Sequence, residues 1–430
     1  MKDRAYARVI NAWCMYDWAN SAFATTIMAA VLPTFYSAVA GAHLPGNTAT
    51  VYWGYTSSIS LLINAVMSPI LGALADYLGA KKRFLTLFAA FGIFFTSLLV
   101  VVSTGQWLLA SVLYTLGYIG FGGANVFYDS LLPHIARPED IDYVSSKGYA
   151  LGYLGGGILL AINIAMILFW DKIGLPSQEM ASRLSFLSVG FWWAVFTIPI
   201  LRKVPEPRVP ETREPRANPL RVAFQRLGNT FRDIRQYREL TKFIVAFWLY
   251  NDGIGTIIKM ATIYGAEIGI GQTDLIGALL LTQFVGIPFS LLFGRMAKSL
   301  STKRSIRLAL GVYTLISIGG YFMTSALHFW LLAAAVGLVQ GGSQALSRSL
   351  FGAMVPKAKS AEFFGFYDVS GKFAGIVGPA VFAVVGQLTG SSRLSIVSLI
   401  VFFVVGGLLL TKVDEEEGIR VARASHAAML

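Results

Sequence analysis

Residues 72–83 read GALADYLGAKKR and lie between two apolar stretches of the chain. The glycines at both ends of its first eight residues permit close helix packing and a tight turn. Asp76 is placed to cap the N-terminus of a neighbouring helix, where a negative charge is favourable. The basic cluster at 81–83 follows directly. The segment therefore predicts a polar junction at one end of packed helices.

The rest of the chain is strongly apolar. Of its 430 residues, 55% are hydrophobic and 13% are charged, and the mean hydropathy is +0.61, whereas a soluble domain carries about 25% charged residues. This composition predicts an all-α integral membrane protein. The net charge of +12 does not indicate a nucleic-acid partner, because the basic residues lie in short clusters between apolar runs, as in cytoplasmic loops.

The sequence offers no pattern for enzymatic or cofactor chemistry. The single cysteine, Cys14, excludes an intramolecular disulfide framework and a cysteine-based metal site. The four histidines are scattered over predicted loops and the tail, so a metal site is not expected. A phosphate-binding loop of the ATPase kind is also missing from the sequence. We therefore expect neither an enzyme nor a bound cofactor.

Twelve apolar windows are long enough to cross a bilayer. They are residues 10–38, 52–75, 84–104, 107–133, 143–169, 183–201, 240–267, 274–298, 305–324, 328–354, 362–389 and 393–411. Apart from five that fall inside the predicted spans, 27 of the 35 Lys and Arg residues lie on the side of the termini and three on the opposite side. This asymmetry predicts cytoplasmic termini and a multi-pass protein of a bacterial cytoplasmic membrane. A cleaved signal peptide is not expected, because the first window is too long and contains Asp17 and Asn20.

A basic, proline-rich segment divides the windows six and six. We predict an N-terminal bundle of residues 1–201, a cytoplasmic linker of 202–239, a C-terminal bundle of 240–411 and a cytoplasmic tail of 412–430. Within the linker, residues 220–238 alternate apolar and basic side chains. They fit either an amphipathic helix on the inner membrane surface or a solvated basic linker.

Sequence matches in the same order relate the two halves. Trp13 and Asp17 recur as Trp248 and Asp252, at an offset of 235. Further matches, at offsets of 217 to 222, join Gly72 to Gly294, Ser130 to Ser349 and Gly148 to Gly365. This order predicts a parallel repeat. Transporters built from such repeats bind substrate near the membrane midplane and alternate access by rocking of the halves.

These motifs resemble those of a known superfamily and of one branch within it. The segment 72–83 is similar to the loop signature of the major facilitator superfamily, although Tyr77 and Ala80 stand where that family often has basic residues, and Lys298 replaces the acid in the second copy. Residues 16–23 (YDWANSAF) and 247–253 (FWLYNDG) resemble the two signatures of the branch that includes the fungal vacuolar amino-acid effluxer. The resemblance implies a secondary transporter of the major facilitator fold, with amino-acid export as the best-known activity.

Acids inside apolar windows are the candidates for the transport site. A charge at the centre of a spanning helix costs roughly 2.5–3.5 kcal/mol on insertion scales, so we expect Asp17 and Asp252 to face a substrate or proton path. Each acid could instead pair permanently with a base, such as Lys259, and only order the bundle. The predicted cavity residues are Trp13, Tyr16, Asp17, Asn20, Asn125, Trp248, Tyr250, Asn251, Asp252, Lys259, Gln344, Asp368 and Lys372.

Two pairs among these cavity residues fit a structural role as well as a role in the cavity. Asp368 and Lys372 are spaced i,i+4 and fit a self-neutralising pair, or one that a zwitterionic substrate opens. Asn125 and Gln344 occupy nearly equivalent positions of the repeat and fit either cavity-lining residues or interhelical hydrogen bonds.

A cytoplasmic gate is predicted around the segment 72–83. Asp129, four residues before Pro133, is placed to pair with the basic cluster, and Arg348 is its counterpart in the second half. The alternative is that the basic cluster only anchors the topology. The predicted gate residues are Gly72, Asp76, Gly79, Lys81, Lys82, Arg83, Asp129 and Arg348.

The sequence thus predicts a proton-coupled secondary transporter of a small solute, acting as a monomer among membrane lipids, with amino-acid efflux preferred. One alternative is export of another solute, such as a sugar, a drug or a lipid-like molecule. A second alternative is a nutrient sensor that kept the fold without transport. The retained charges at 76 and 81–83 favour transport, because a sensor could lose them.

Overall fold

The computed structural model describes residues 2–46, 48–207, 221–225, 227–228 and 236–428. These residues form helices joined by turns. The helices are α1 (Lys2–Ala22), α2 (Thr48–Leu78), α3 (Lys81–Leu98), α4 (Trp107–Ile135), α5 (Ile141–Leu168), α6 (Gln178–Lys203), α7 (Arg238–Glu267), α8 (Gln272–Leu300), α9 (Thr302–Tyr321), α10 (Ala326–Ala353), α11 (Ser360–Thr389), α12 (Ser392–Thr411) and α13 (Glu415–Ala428).

Wider turns continue α1 as far as Ala40. Two π-helical stretches, Phe23–Ala30 and Tyr36–Ala40, flank a short helical piece at Val31–Phe35. Pro33 lies in that piece and has no backbone N–H, so a regular α-helical ladder cannot run through it. Extra residues in the neighbouring turns accommodate this break.

Nine helices of the described chain are long and apolar enough to cross a membrane: α1 with its continuation, α2 to α6, α8, α10 and α12. Helices also cover the other three predicted windows, as α7, α9 and α11, with 30, 20 and 30 residues. A helix of about 20 residues reaches across a bilayer core of about 30 Å. Their lengths therefore suffice, and the assignment of these three as spans stays a prediction.

The chain divides into two compact units. The first comprises Met1–Ser68, Gly79–Asp129 and Leu151–Pro207, and the second comprises Pro69–Leu78, Ser130–Ala150 and Arg208–Leu430. The second unit therefore includes the end of α2, the end of α4 and the start of α5, together with α7 to α13.

In the first unit, α5 packs closely on α1 through glycines. A Cβ atom at Gly152 would lie 2.6 Å from Ser21 Oγ, and one at Gly155 would lie 2.5 Å from the Trp18 carbonyl oxygen. On its other side, Trp18 stacks on Trp192, with ring centroids 5.6 Å apart, and the Trp192 indole N–H donates to the Trp18 carbonyl. Helix α1 is thus held between α5 and α6.

Aromatic side chains fill the core of the second unit. Phe247 of α7 stacks on Tyr367 of α11, with ring centroids 4.3 Å apart. Tyr313 of α9 stacks on Phe403 of α12 at 5.2 Å. Stacked aromatic pairs stabilise by about 0.5–1.5 kcal/mol beyond their buried area. These rings fix the positions of α7 and α11, which carry most of the predicted site of this unit.

The predicted tail contains a packed helix. The backbone N–H of Asp414 donates to Glu239 at the start of α7 (2.7 Å), and the hydroxyl groups of Tyr237 and Ser425 are 2.7 Å apart. Burial and the negative charge of Asp142 raise the pKa of Glu415 at the start of α13. The tail is therefore folded against the rest of the second unit, of which it is a part.

The predicted amphipathic helix at 220–238 lies partly outside the described residues, which here are 221–225, 227–228 and 236–238. Residues 221–225 and 227–228 are helical. Among them, Ala223 and Leu227 form a small buried cluster with Ala73 of α2, against which Phe366 packs. Ala223 and Leu227 of the linker therefore pack on protein, whereas Phe224 between them is 59% exposed.

We predict that the α1–α5 contact tolerates no added methyl group. Gly155→Ala places Cβ against the Trp18 carbonyl and should destabilise the protein by about 1–3 kcal/mol, the usual cost of overpacking. The measurement is the melting temperature in detergent. The control is Gly54→Ala in α2, where no atom lies within 4 Å of the new Cβ and where helix propensity favours alanine. Equal melting temperatures for the two variants would contradict the prediction.

Candidate functional site

Tyr128 of α4 joins the predicted site residues of α1 in the first unit. Its hydroxyl donates to Asp17 Oδ2 at 2.7 Å, and its carbonyl accepts from the Trp13 indole N–H at 3.0 Å. Its ring stacks on Trp13, with centroids 4.3 Å apart, and lies 4.9 Å from the ring of Tyr16. Tyr128 was not among the site residues predicted from the sequence. Its position three residues after Asn125, on the same face of α4, is the signal that could have found it.

Asn20 extends this contact by one turn. Its amide group donates to Asn125 Oδ1 on α4. Asn20 is buried, and Asn125 is half-buried. The structure therefore brings together five predicted residues of the first unit, at the junction of α1 and α4: Trp13, Tyr16, Asp17, Asn20 and Asn125.

Asp252 is the central polar residue of the second unit. It lies in the middle of α7 and is 1% exposed. Its Oδ2 accepts from the backbone N–H of Gly378 on α11 at 2.8 Å, while Oδ1 has no hydrogen-bond partner among the described residues. A Cβ atom at Gly378 would lie only 2.0 Å from Thr256 Oγ1. The absence of a side chain at Gly378 thus lets α11 reach the carboxylate. This glycine was not among the site residues predicted from the sequence.

The neighbours of Asp252 on α7 point in several directions. The Tyr250 hydroxyl lies 2.6 Å from Ser347 Oγ of α10. The Asn251 amide donates to the carbonyl of Gly371 on α11 at 3.4 Å. Trp248 is 37% exposed, and Lys259 is exposed as well. Tyr250, Asn251 and Asp252 therefore form the part of the predicted site that faces α10 and α11.

The remaining predicted cavity residues lie on α10 and α11. Gln344 and Asp368 are half-buried. The side chain of Lys372 lies outside the part of the chain that the structure describes. The expected Asp368–Lys372 pair therefore stays a prediction.

Asp76 caps the N-terminus of α11, as its position in the sequence predicts. Its side chain is buried, and its oxygens accept from the backbone N–H groups of Ala361 at 3.3 Å and Glu362 at 2.8 Å. The predicted close packing at Gly72 is also confirmed, because a Cβ atom there would lie 2.2 Å from the Ala361 carbonyl oxygen. The end of α2 is thus fastened to the start of α11 by a cap and a glycine contact.

The second copy of this motif uses the opposite charge. Gly294 of α8 packs on α5, since its Cβ would lie 2.7 Å from the Cβ of Ser146. Lys298, at the position of Asp76, contacts Asp140 just before α5, with Nζ 3.3 Å from Oδ1. Asp142, in the first turn of α5, accepts from the hydroxyl groups of Thr302 and Ser349. The acids near the N-terminus of α5 suit the helix dipole, and the cation of α8 complements them.

Arg348 fastens α10 to α5. It is 3% exposed, and its guanidinium donates to Ser145 Oγ at 2.9 Å and to the Ser145 carbonyl at 3.0 Å. The same group lies over the Tyr149 ring, 4.4 Å from its centroid. These contacts satisfy a cation that would otherwise be costly to bury.

The basic cluster binds the chain that follows α6. Gly79 turns the chain with φ of +60°, a conformation that favours glycine. Lys82 donates through Nζ to the Val204 carbonyl and through its backbone N–H to Glu206, each at 2.8 Å. Lys81 is buried, Arg83 is exposed and Asp129 is half-buried. Val204 and Glu206 were not predicted as partners, and the expected pairing with Asp129 stays a prediction.

Comparison with known proteins identifies the family. Residues 47–423 match the family described as vacuole effluxer Atg22 like. The chain belongs to this family. It is 42% identical over 425 residues to the MFS-type transporter YxiO of Bacillus subtilis, covering 98% of this chain and 99% of that protein. It is 25% identical over 452 residues to autophagy-related protein 22 of Yarrowia lipolytica, covering 85% of this chain and 75% of that protein.

Solved structures show the fold of this Atg22-like protein. The human organic anion transporter MFSD10 matches 94% of this chain and 99% of its own, with a TM-score of 0.73 and 14% identity. The proton:xylose symporter XylE matches 98% of each chain, with a TM-score of 0.68 and 15% identity. The protein therefore has the major facilitator fold. It is a multi-pass membrane transporter and not an enzyme.

The charge reversal between the two motif copies predicts unequal contributions to stability. Asp76→Ala removes a buried cap from two backbone N–H groups, which costs about 0.5–2 kcal/mol. Lys298→Ala, the matched change in the second copy, removes an exposed ion pair of about 0–1 kcal/mol. We expect the larger loss of melting temperature in detergent for Asp76→Ala. A larger loss for Lys298→Ala would refute this ranking.

Proposed function

We propose that this protein is a monomeric secondary transporter of a bacterial cytoplasmic membrane that exports amino acids in exchange for protons. Asp252 is the proposed proton carrier, and the polar residues around it on α7 and α11 form part of the proposed substrate site. The predicted gate residues, at the end of α2, the start of α3 and on α4 and α10, control access from the cytoplasm.

The environment of Asp252 carries this proposal. The carboxyl group is buried in the middle of α7, with a backbone N–H on one oxygen and no hydrogen-bond partner among the described residues on the other. A permanent charge is costly at such depth. A carboxyl group that can take up a proton removes this cost whenever it is neutral, which is the chemical requirement of a proton carrier.

The charges near Asp252 support an amino acid as substrate. A zwitterion needs one anionic and one cationic partner. Lys259 lies two turns along α7, about 10 Å from Asp252 along the helix axis, and Asp368 lies on α11, beside α7. The family description, vacuole effluxer, supports export as the direction.

Asp17 is a second candidate for proton or substrate handling. Its Oδ2 accepts from the neutral Tyr128 hydroxyl. A hydroxyl group can donate to an ionised carboxylate and can also accept from a protonated one. The Asp17–Tyr128 contact can therefore persist in both protonation states, as a proton site needs.

The gate contacts support alternating access. At the end of the bundle that carries the segment 72–83, α2 is fastened to α11, and α5 is fastened to α8 and α10. These contacts are polar and local, and each can be exchanged for water when this end opens. We propose that they close the cytoplasmic side and that their rupture admits substrate from the cell.

The test is transport by the purified protein in liposomes. Vesicles loaded with a mixture of radiolabelled amino acids should lose label faster when the pH gradient drives protons into the vesicles, in the direction opposite to amino-acid efflux. Asp252→Asn keeps the size and one acceptor oxygen of the side chain but cannot titrate, so the pH gradient should no longer accelerate efflux. Exchange of labelled for unlabelled substrate across the membrane should persist, because exchange needs no net proton movement.

The matched control is Asp274→Asn at the start of α8. This acid accepts from the Trp330 indole N–H at 3.0 Å, and asparagine keeps an acceptor oxygen there. Efflux from this variant should respond to the pH gradient as the wild type does. Transport of sugars or organic anions but not of amino acids would overturn the substrate assignment. Ligand binding without any flux would instead identify a sensor.

A further inference from the structure

Two carboxylates on different helices hold the backbone of α11. Asp76 of α2 accepts from the N–H groups of Ala361 and Glu362 at the start of α11. Asp252 of α7 accepts from the N–H group of Gly378 in its interior. Sixteen residues separate the two contacts, which is about 24 Å along a helix. One helix thus connects the proposed proton site to the proposed gate.

The contact between Asp252 and Gly378 lies where the backbone hydrogen-bond ladder of α11 is interrupted. Gly378 is followed by Pro379, which has no N–H and leaves the carbonyl four residues before it without its regular donor. Helices bend most readily at such sites. Gly378 itself sits against Thr256 and the carboxylate of Asp252, at distances that only glycine permits. The helix can therefore hinge where Asp252 holds it.

The strength of this hold depends on the charge of Asp252. A hydrogen bond from an N–H group to an ionised carboxylate is about twice as strong as one to a neutral acceptor. Protonation of Asp252 therefore weakens the bond to Gly378. The Thr256 hydroxyl, which donates to the Asp252 carbonyl at 2.7 Å, is unaffected by this change.

We propose that α11 is a proton-operated lever, in which ionised Asp252 holds the Gly378–Pro379 joint against α7 and so keeps the start of α11 docked on Asp76. Protonation of Asp252 releases the joint and loosens the docked end. Asp252 then acts as a positioning residue for the gate as well as a proton carrier. This inference rests on the protonation of Asp252 in the proposed function, and it adds how that event reaches the gate.

The charges around Asp252 are compatible with such a switch. Lys259 attracts the ionised carboxylate from the same helix. Helix α12 presents phenylalanine rings beside Gly253, and its one charged residue lies near its start. Helix α10 presents hydroxyl groups, and its arginine is engaged with α5. The other charged residues on the helices around α7 are Glu362, Asp368 and Lys372 on α11, Arg393 on α12, Asp274, Arg295 and Lys298 on α8, and Glu415, Glu416, Glu417, Arg420 and Arg423 on α13.

Thiol cross-linking at the gate tests the lever. The reporter pair is His134→Cys and Ser360→Cys, since these side chains meet at 3.0 Å between the end of α4 and the start of α11. Cys14, the single native cysteine, is replaced by alanine. The measurement is the rate of cross-linking by a short bifunctional thiol reagent in proteoliposomes across a pH series.

The expected result has a definite sign. At high pH Asp252 is ionised, the joint is held and cross-linking is fast, whereas acidification should slow it about fivefold, in line with the loss of charge assistance to one hydrogen bond. Asp252→Asn should remove this pH dependence beyond the reactivity of the thiols themselves. The remaining pH dependence of Asp252→Asn supplies the baseline for thiol reactivity. Asp274→Asn, measured in the same cysteine background, should keep the additional pH dependence of the wild type.

A second variant tests the joint without changing a titratable group. Gly378→Ala inserts a methyl group between α11 and Thr256, so cross-linking should be slow at every pH even though Asp252 is intact. Fast, pH-dependent cross-linking in this variant would overturn the lever. A pH-independent cross-linking rate in the protein with wild-type Asp252 and Gly378, together with proton-driven transport, would also overturn the lever. The proposed function would then hold without it. The opposite pattern, a pH-dependent gate with proton-independent transport, would keep the lever and overturn the coupling.

Discussion

The bond between Asp252 and the backbone of α11 depends on the scarcity of partners inside a membrane protein. A buried carboxylate needs hydrogen-bond donors, and the bilayer core supplies no water to provide them. In this protein the donor is a backbone N–H of a helix, at a point where the following proline already interrupts the regular ladder. Asp76 is satisfied in the same way, because the N–H groups at the start of α11, which lack partners within the helix, serve as its donors.

Glycine makes both contacts sterically feasible. Side chains at residues 72 and 378 would collide with the backbone or a hydroxyl group of the facing helix before the carboxylates came within reach. The polar contacts of α11 therefore depend on the close approach of its neighbouring helices, and neither would form without the other. The α1–α5 contact of the first unit uses the same device at residues 152 and 155 to bring two backbones together.

The two copies of the gate motif reach similar packing with different electrostatics. Each places a glycine of the second helix of its half against the start of a helix from the other half of the sequence. In the first copy the acid lies on the packing helix and caps its partner. In the second, the cation lies on the packing helix, and the acids belong to the partner. Both arrangements put negative charge at a helix N-terminus, which is the constraint that the dipole imposes.

The sequence by itself determined the class, the windows and the polar outliers. Long apolar runs can satisfy their backbone only as helices in a membrane, so helix positions followed from composition and length. The cap at Asp76 followed from local spacing, since a short acidic side chain four residues after one glycine and three before another, near a helix end, is placed to cap a neighbouring helix. Asp17 and Asp252 could be picked out because an acid within an apolar window carries a free-energy cost in the membrane.

Only the tertiary structure decided which partners those residues have. Tyr128 and Gly378 carry no signal of their own, because a tyrosine or a glycine in a membrane helix is common, and their roles arise from helices more than 100 residues away. The docking of Arg348 on Ser145 and of Lys82 on Val204 likewise depends on which helix ends meet. Hydrophobic periodicity specifies that a helix is buried but not which backbone N–H group it will present to a neighbouring carboxylate.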